Sequence, residues 1–133
     1  MLYKLTHELL YILVDLFSID AMYKIQGSDN RIIVGNYTIR HYYAKMYYVN
    51  NNVINKTYNF RDFWQFLQTI SLNIKCITIG SNTHRIVNSY IDLPPLKNVS
   101  DTLLLYANKT GTQDNDIHTI RTIIHHFNTQ NNL

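Results

Sequence analysis

The chain is poor in the residues that cross-link or break a polypeptide. It has one cysteine, two prolines and four glycines in 133 residues. A lone cysteine, Cys76, excludes a disulfide framework, so either the compartment is reducing or that thiol is incidental. No apolar run is long enough to span a bilayer, because the N-terminal one, Leu9 to Phe17, is broken by Asp15. The same segment lacks the Arg-rich, acid-poor pattern of a mitochondrial presequence. Also missing are the G-x-S-x-G elbow, the P-loop, the G-x-G-x-x-G turn and the H-E-x-x-H helix, which removes the commonest hydrolase, nucleotide-binding and zinc-protease signatures. Basic residues form no run. N-x-[ST] triplets occur, as at Asn55-Lys56-Thr57, but an asparagine-rich chain produces them by chance.

What is present suffices for a core. Hydrophobic residues make up 46% of the chain, enough for one domain with an extension. Net charge is +3 and the pI about 9.0, which permits an anionic partner without requiring one. Abundant Ile, Asn and Tyr, with few Ala, Gly and Pro, are what AT-rich codons produce. That composition points to a virus, an organelle genome, or an AT-rich parasite or bacterium.

Leu2, Leu5, Leu9, Ile12, Leu13 and Leu16 recur at helical spacing, and Tyr3, Leu10, Val14 and Phe17 cover much of the other side. A helix apolar nearly all round must be buried on most sides, so docking on a neighbouring protein is expected. Two short strands around a turn follow at residues 21–36. Residues 37–49 then form a long aromatic strand with no breaker, and residues 50–57 a loop or bulged edge. The clearest helix starts at Asn59, a good N-cap with Asp62 at the capping-box position, and carries a stripe of Phe60, Phe63, Trp64, Leu67 and Ile70. Residues 74–80 and then 81–93 read as strands. Residues 115–127 are ambiguous: Ile117, Ile120, Ile123, Ile124 and Phe127 fit a helix, while the Thr, Ile and His content favours a strand.

The six histidines give no metal-ligand spacing. His125 and His126 diverge as neighbours, and His7, His41, His84 and His118 stand alone. Asp114 and Asp116 read as a solvated loop. Tyr42, Tyr43, Tyr47 and Tyr48 have the chemistry to stack on bases. At least one of each alternating pair is expected to pack instead on the Trp64 helix.

Both prolines, Pro94 and Pro95, lie in the stretch Tyr90 to Gly111. The sequence Ile91-Asp92-Leu93-Pro94, then a strand over Asp101 to Lys109, then His118 to Phe127, resembles ribosomal protein ten of the bacterial and organellar small subunit. Pro94 matches the last proline of that family's G-P-I-P-L-P-T element. Thr102 to Leu105 match its T-V-L strand, Asn108-Lys109 its N-K, and Ile120-Arg121-Thr122 its I-R-T. Thr38 to Met46 fall where its first strand belongs. The S-P-H of the family is replaced by Tyr106-Ala107, and its second helix and fourth strand have no counterpart.

The resemblance implies an α+β, ferredoxin-like (split β-α-β) domain over residues 36–133, C-terminally incomplete, with a helical and short-hairpin extension at 1–35. It implies a protruding hairpin at Tyr90–Asn108 with Pro94 and Pro95 at the tip, and a strand at 115–127. The implied function is that of a structural, non-catalytic component of a mitochondrial small ribosomal subunit, located in the matrix and encoded in the organelle genome. RNA contacts are then expected from Arg40, Lys45, His84, Arg85, Lys97, Asn98, Asn108, Lys109, His118, Arg121 and His125. The implied partners are small-subunit ribosomal RNA, neighbouring ribosomal proteins and a separate chain completing the domain. No membrane, cofactor, metal or catalytic residue is expected. Expressed alone, such an incomplete chain would be poorly soluble or partly unfolded. In another class, residues 46–64 resemble the KilA-N type of viral DNA-binding domain. A helix-turn-helix in place of the proline hairpin would favour it.

Overall fold

The computed structural model describes residues 1–18, 31–42, 46–96, 98–109 and 111–131. Among them lie β1 (Leu2–Lys4), α1 (His7–Ser18), β2 (Ile32–Val34), β3 (Tyr37–Tyr42), β4 (Met46–Asn50), β5 (Asn55–Asn59) and α2 (Phe60–Thr69). The chain continues with β6 (Cys76–Ile79), β7 (Asn82–Val87), β8 (Tyr90–Asp92), α3 (Val99–Lys109) and α4 (Asp114–Asn131). The fold is α+β. The strands form an antiparallel sheet in the order β1-β8-β7-β6-β2-β3-β4-β5.

Two meanders leave the centre in opposite directions. β2 to β5 run outward by successive hairpins. After α2 the chain returns, and β6 pairs with the free side of β2, with Val34 opposite Ile77. The turns follow from their residues. Gly35 and Gly80 take φ of +60° and +61° at the first central position of two-residue hairpins, as type II′ turns require. The β7–β8 turn has Asn88 at φ +53° and Ser89 at φ +69°, the double positive φ of type I′. Serine bears a steric cost there that glycine lacks. Ser89→Gly is therefore expected to stabilise the protein by about 0.5–1 kcal/mol, net of the extra chain entropy of glycine. Urea unfolding checks this, and a loss of stability would mean that the Ser89 side chain contributes more than its strain costs.

The long strand expected over residues 37–49 is instead the β3–β4 hairpin, in register from Thr38 opposite Asn50 to Tyr42 opposite Met46. Folding the run in two sets Ile39, His41, Tyr47 and Val49 over a single core, all buried. The edge expected near residues 50–57 is β5. Its entry is an Asx turn in which the Asn51 side chain accepts from the Val53 and Ile54 amides, at 2.8 and 2.5 Å. The first strand expected near residue 21 lies outside the described residues.

The four helices among the described residues pack on one face of the sheet. Tyr47 stacks on Phe63 of α2 at 4.0 Å between ring centroids, Tyr3 stacks on Phe127 of α4 at 5.9 Å, and His41 meets Tyr106 of α3 edge-on at 5.2 Å. α1 lies among them, in contact with β2, β3, α2, α3 and α4. Every residue from Leu9 to Leu16 is buried. A helix apolar all round thus finds its burial inside this chain, where docking on another protein was expected.

α2 begins as its sequence predicts: the Asn59 side chain accepts from the Asp62 amide at 2.8 Å, and Phe60, Phe63 and Leu67 are buried. The proline-tipped hairpin does not form. β8 ends at Asp92, and Pro94 and Pro95 are exposed between the buried Leu93 and Leu96. The Leu93 amide donates to Met1 O at 2.9 Å and the Leu96 amide to the Tyr3 hydroxyl at 2.6 Å, so the prolines link β8 to α3. They lack N–H donors and end the strand, as proline should.

The segment expected as a strand over Asp101 to Lys109 is α3, burying Val99, Leu103 and Ala107. Its end is closed by Gly111 at φ +69° and by the Thr112 amide, which reaches back to Ala107 O at 3.2 Å. Residues 115–127, also expected as a strand, are helical in α4, with Ile120, Ile123, Ile124 and Phe127 buried at helical spacing. The threonines that argued for a strand bond back along the helix. Thr119, Thr122 and Thr129 donate to the carbonyls of Asn115, His118 and His125 at 2.9–3.1 Å.

One polar cluster interrupts the core. Asp15, fully buried on α1, accepts from the hydroxyls of Tyr11 at 2.8 Å and Tyr47 at 2.7 Å, and His41 Nδ1 lies 3.5 Å from it. Burial first, and then the Asp15 carboxylate, hold both phenols well above the ordinary tyrosine value, so they remain donors.

Candidate nucleic-acid interface

Side chains alternate along a strand, so burying Ile39 and His41 on β3 turns Thr38 and Arg40 outward. On β4, burial of Tyr47 and Val49 turns Tyr48 and Asn50 the same way. This alternation meets the expectation that one member of the tyrosine pair packs on α2 while the other remains outside; the side chains of residues 42 and 43 lie outside the described set. Pairing aligns the outward residues into rows. Arg40 opposes Tyr48, which opposes Thr57. Thr83, Thr78, Ile33, Thr38, Asn50 and Asn55 form a second row across six strands. Arg85 opposes Cys76 on the same face.

None of the described residues in β2 to β7 is acidic. The open face therefore offers guanidinium groups, hydroxyls, carboxamides and a half-buried phenol ring, with no carboxylate from these strands to repel an anion. Toward β1 and β8 it becomes apolar, with Leu2, Val87 and Tyr90 exposed, and there it carries Asp92, whose carboxylate lies 2.7 Å from the Met1 amino group. Between Arg31, Thr38, Arg40, Tyr48 and Asn50 the face dips into a concavity of about 220 Å³. The Tyr48 hydroxyl donates to Asn55 Oδ1, which fixes the ring at its rim. On the helix side, a second hollow of about 420 Å³ lies between the edge strand β5 and α2, lined by Lys56, Tyr58, Asp62, Gln65, Phe66 and Thr69. Its charges are of both signs.

The residues expected to contact RNA do not form one surface. Arg40 and Arg85 share the open face. His84 points to the helix side and is half-buried, opposite the buried Ile77. Asn98 precedes α3 at φ +57° and accepts the Thr102 amide at 3.0 Å through its carbonyl. Asn108 and Lys109 are exposed at the end of α3, and His118, Arg121 and His125 on the outer side of α4. Lys45 and Lys97 lie outside the described residues. Arg31 and Thr38 were not singled out; the signal for Thr38 was its polar phase beside Arg40. Among the described residues no group of three His, Cys, Asp or Glu is placed to hold a metal ion, and no helix is long and apolar enough to cross a membrane.

No family model, curated protein or solved structure matches this chain.

Proposed function

We propose that the chain is a non-catalytic RNA-binding component of a ribonucleoprotein, contacting RNA through the open face of its sheet. The observation that supports this is the part of the face over strands β2 to β7, whose described residues include no acid and which bears Arg40, Arg85 and Tyr48, where cations position phosphate and an aromatic ring receives a base. The small ribosomal subunit of a mitochondrion, with its RNA and neighbouring proteins as partners, is the setting that the sequence resemblance offers. With Thr102–Leu105 and Ile120–Thr122 in helices, that resemblance retains only composition and residue identity, and the reading stands on the sheet face.

Single-stranded RNA oligomers should bind with a salt-dependent affinity. Arg85→Ala should weaken binding and lower the slope of log affinity against log salt by about 0.7, the value for one phosphate contact on a single strand. Fluorescence anisotropy over a salt series measures both. Absence of binding at low salt, or an unchanged slope, refutes the sheet-face reading. In the cell, the protein should co-sediment with small-subunit RNA.

A second reading is favoured by α3 and α4, consecutive helices joined across residues 110–113 with Gly111 at positive φ. Helix-turn-helix DNA binders share that pattern, and His118, Arg121, Thr122 and His125 are exposed on α4. Preference for duplex DNA, lost in Arg121→Ala and retained in Arg85→Ala, would select it.

A further inference from the structure

The two edges of the sheet are finished differently. At β1 the outward amide of Lys4 is taken by the Asn131 side chain of α4 at 3.2 Å. At β5, the other edge, Asn55, Lys56, Thr57 and Asn59 are exposed, and among the described residues no strand pairs with the outer side. The Asn51 amide donates to Ile54 O at 2.8 Å, and bonded pairs alternate along an antiparallel ladder, so Lys56 and Tyr58 bond back to β4. The amides and carbonyls of Asn55 and Thr57 therefore face outward, as does the Asn59 amide. An edge of this kind is a template for another strand.

That strand is complementary to itself. Turned about a two-fold axis beside Thr57, it sets Thr57 against Thr57, Asn55 against Asn59 and Lys56 against Tyr58. Thr–Thr pairs and a cation on an aromatic ring are favourable neighbours, and no like charges meet. Lys56 Nζ already lies 5.1 Å from the centroid of its own Tyr58 ring, in the hollow between β5 and α2. Asp62, in the first turn of α2, lines the same hollow just beyond Asn59. The Lys56 of a second copy arrives at that end of the strand, so the acid of each hollow receives a cation. An axis beside Lys56 would oppose two lysines, so charge selects the Thr57 register. The helices leave room for the pairing. Phe63 stacks on Tyr47, while Phe66 meets Tyr37 on one side and Tyr58 on the other, which centres α2 over β4. Across the seam two such helices stand three strand spacings apart, about 14 Å, wider than the roughly 8–10 Å of packed helices.

We propose that β5 is the interface for a second copy of this chain, paired antiparallel about Thr57. Each Thr57 amide bonds the Thr57 carbonyl of the other copy, and each Asn59 amide bonds the other Asn55 carbonyl. The contact is isologous, the same strand on both sides. Its axis stands perpendicular to the sheet, so both helix layers fall on one side and both open faces on the other. The two eight-stranded sheets then form one continuous surface. The pairing depends on the edge alone and holds whatever the open face binds.

Sedimentation equilibrium of the full chain, from micromolar to near-millimolar concentration, should show a reversible monomer–dimer equilibrium. Thr57→Pro removes an outward amide and leaves the ladder to β4 intact, so the monomer should stay folded by circular dichroism. Loss of the two central hydrogen bonds should weaken dimerisation about 10-fold or more. Lys56→Glu and Asp62→Lys should each weaken it about 3- to 10-fold, by setting like charges together, and the double variant should recover most of the loss. In a Cys76→Ser background, Thr57→Cys should form an intermolecular disulfide on oxidation, because bonded pairs lie about 5.5 Å apart between Cα atoms, within disulfide range. Val53→Cys, at an exposed position on the loop before β5, should not. A monomer at every concentration overturns the proposal. So does a dimer that Thr57→Pro leaves unchanged, since its contact would lie elsewhere on the chain.

Discussion

Asp15→Ala should lose about 3–5 kcal/mol of stability, which would leave a small domain near its unfolding threshold. The carboxylate is fully buried and divides its two oxygens between two donors, Tyr11 to Oδ2 and Tyr47 to Oδ1. Alanine removes the carboxylate acceptor of both hydroxyls in a buried cluster, at about 1–3 kcal/mol each, and leaves a cavity beside His41. Asp15→Asn keeps the shape and one acceptor oxygen, so it should fall between wild type and alanine. Urea unfolding at neutral pH measures the series, and an alanine loss below about 1 kcal/mol would show that the cluster is dispensable.

The same cluster sets a pH dependence. Folded Tyr11 and Tyr47 have pKa values raised above those of the unfolded chain. Their contribution is fully present below the unfolded value, about 10, and is lost as pH rises toward the folded values. Above pH 10 the unfolded state releases protons that the folded state keeps, so each phenol should cost about 1.4 kcal/mol per pH unit. Tyr11→Phe should remove one such increment from the alkaline slope.

Phe127→Ala should cost about 3–5 kcal/mol and unfold the whole chain in one earlier transition. Phe127 is fully buried near the end of α4 and stacks on Tyr3 of β1, whose hydroxyl takes the Leu96 amide after the prolines. The Lys4 amide donates to the Asn131 side chain at 3.2 Å, closing the same corner. Truncating the ring therefore loosens helix, edge strand and proline linker together. Circular dichroism and Trp64 fluorescence should report coincident midpoints. Separate transitions, with α4 melting alone, would mean that the C-terminal helix is an appendage.

Legibility followed locality. α2 was plain because its cap, its stripe and its end lie within a dozen consecutive residues. The spacing of Ile120, Ile123, Ile124 and Phe127 also spelled a helix. The β-branched composition and the resemblance both point the other way, to a strand. Packing of one apolar stripe outweighs propensity differences of a few tenths of a kcal/mol per residue. α1 was seen as a helix needing burial on all sides, but sequence cannot name what surrounds it. The candidate site was half visible. Arg40, Arg85 and Tyr48 stood out as chemistry, while their common face depends on register between strands distant in the chain. Arg31 acquires meaning only once β2 is known to lie beside β3.

The pairing of Leu2–Lys4 with Tyr90–Asp92 has a consequence for synthesis. β1 emerges well before β8 and waits for it, while α1, apolar on most of its surface, has no sheet to cover it until β2 and β3 have been made. Closing so large a loop is entropically slow, and exposed apolar surface in the interval attracts other nascent chains. Translation of residues 1–60 alone should thus yield a protease-sensitive, chaperone-bound product. Resistance should appear only after residue 92 has cleared the exit tunnel and the edge strand can dock.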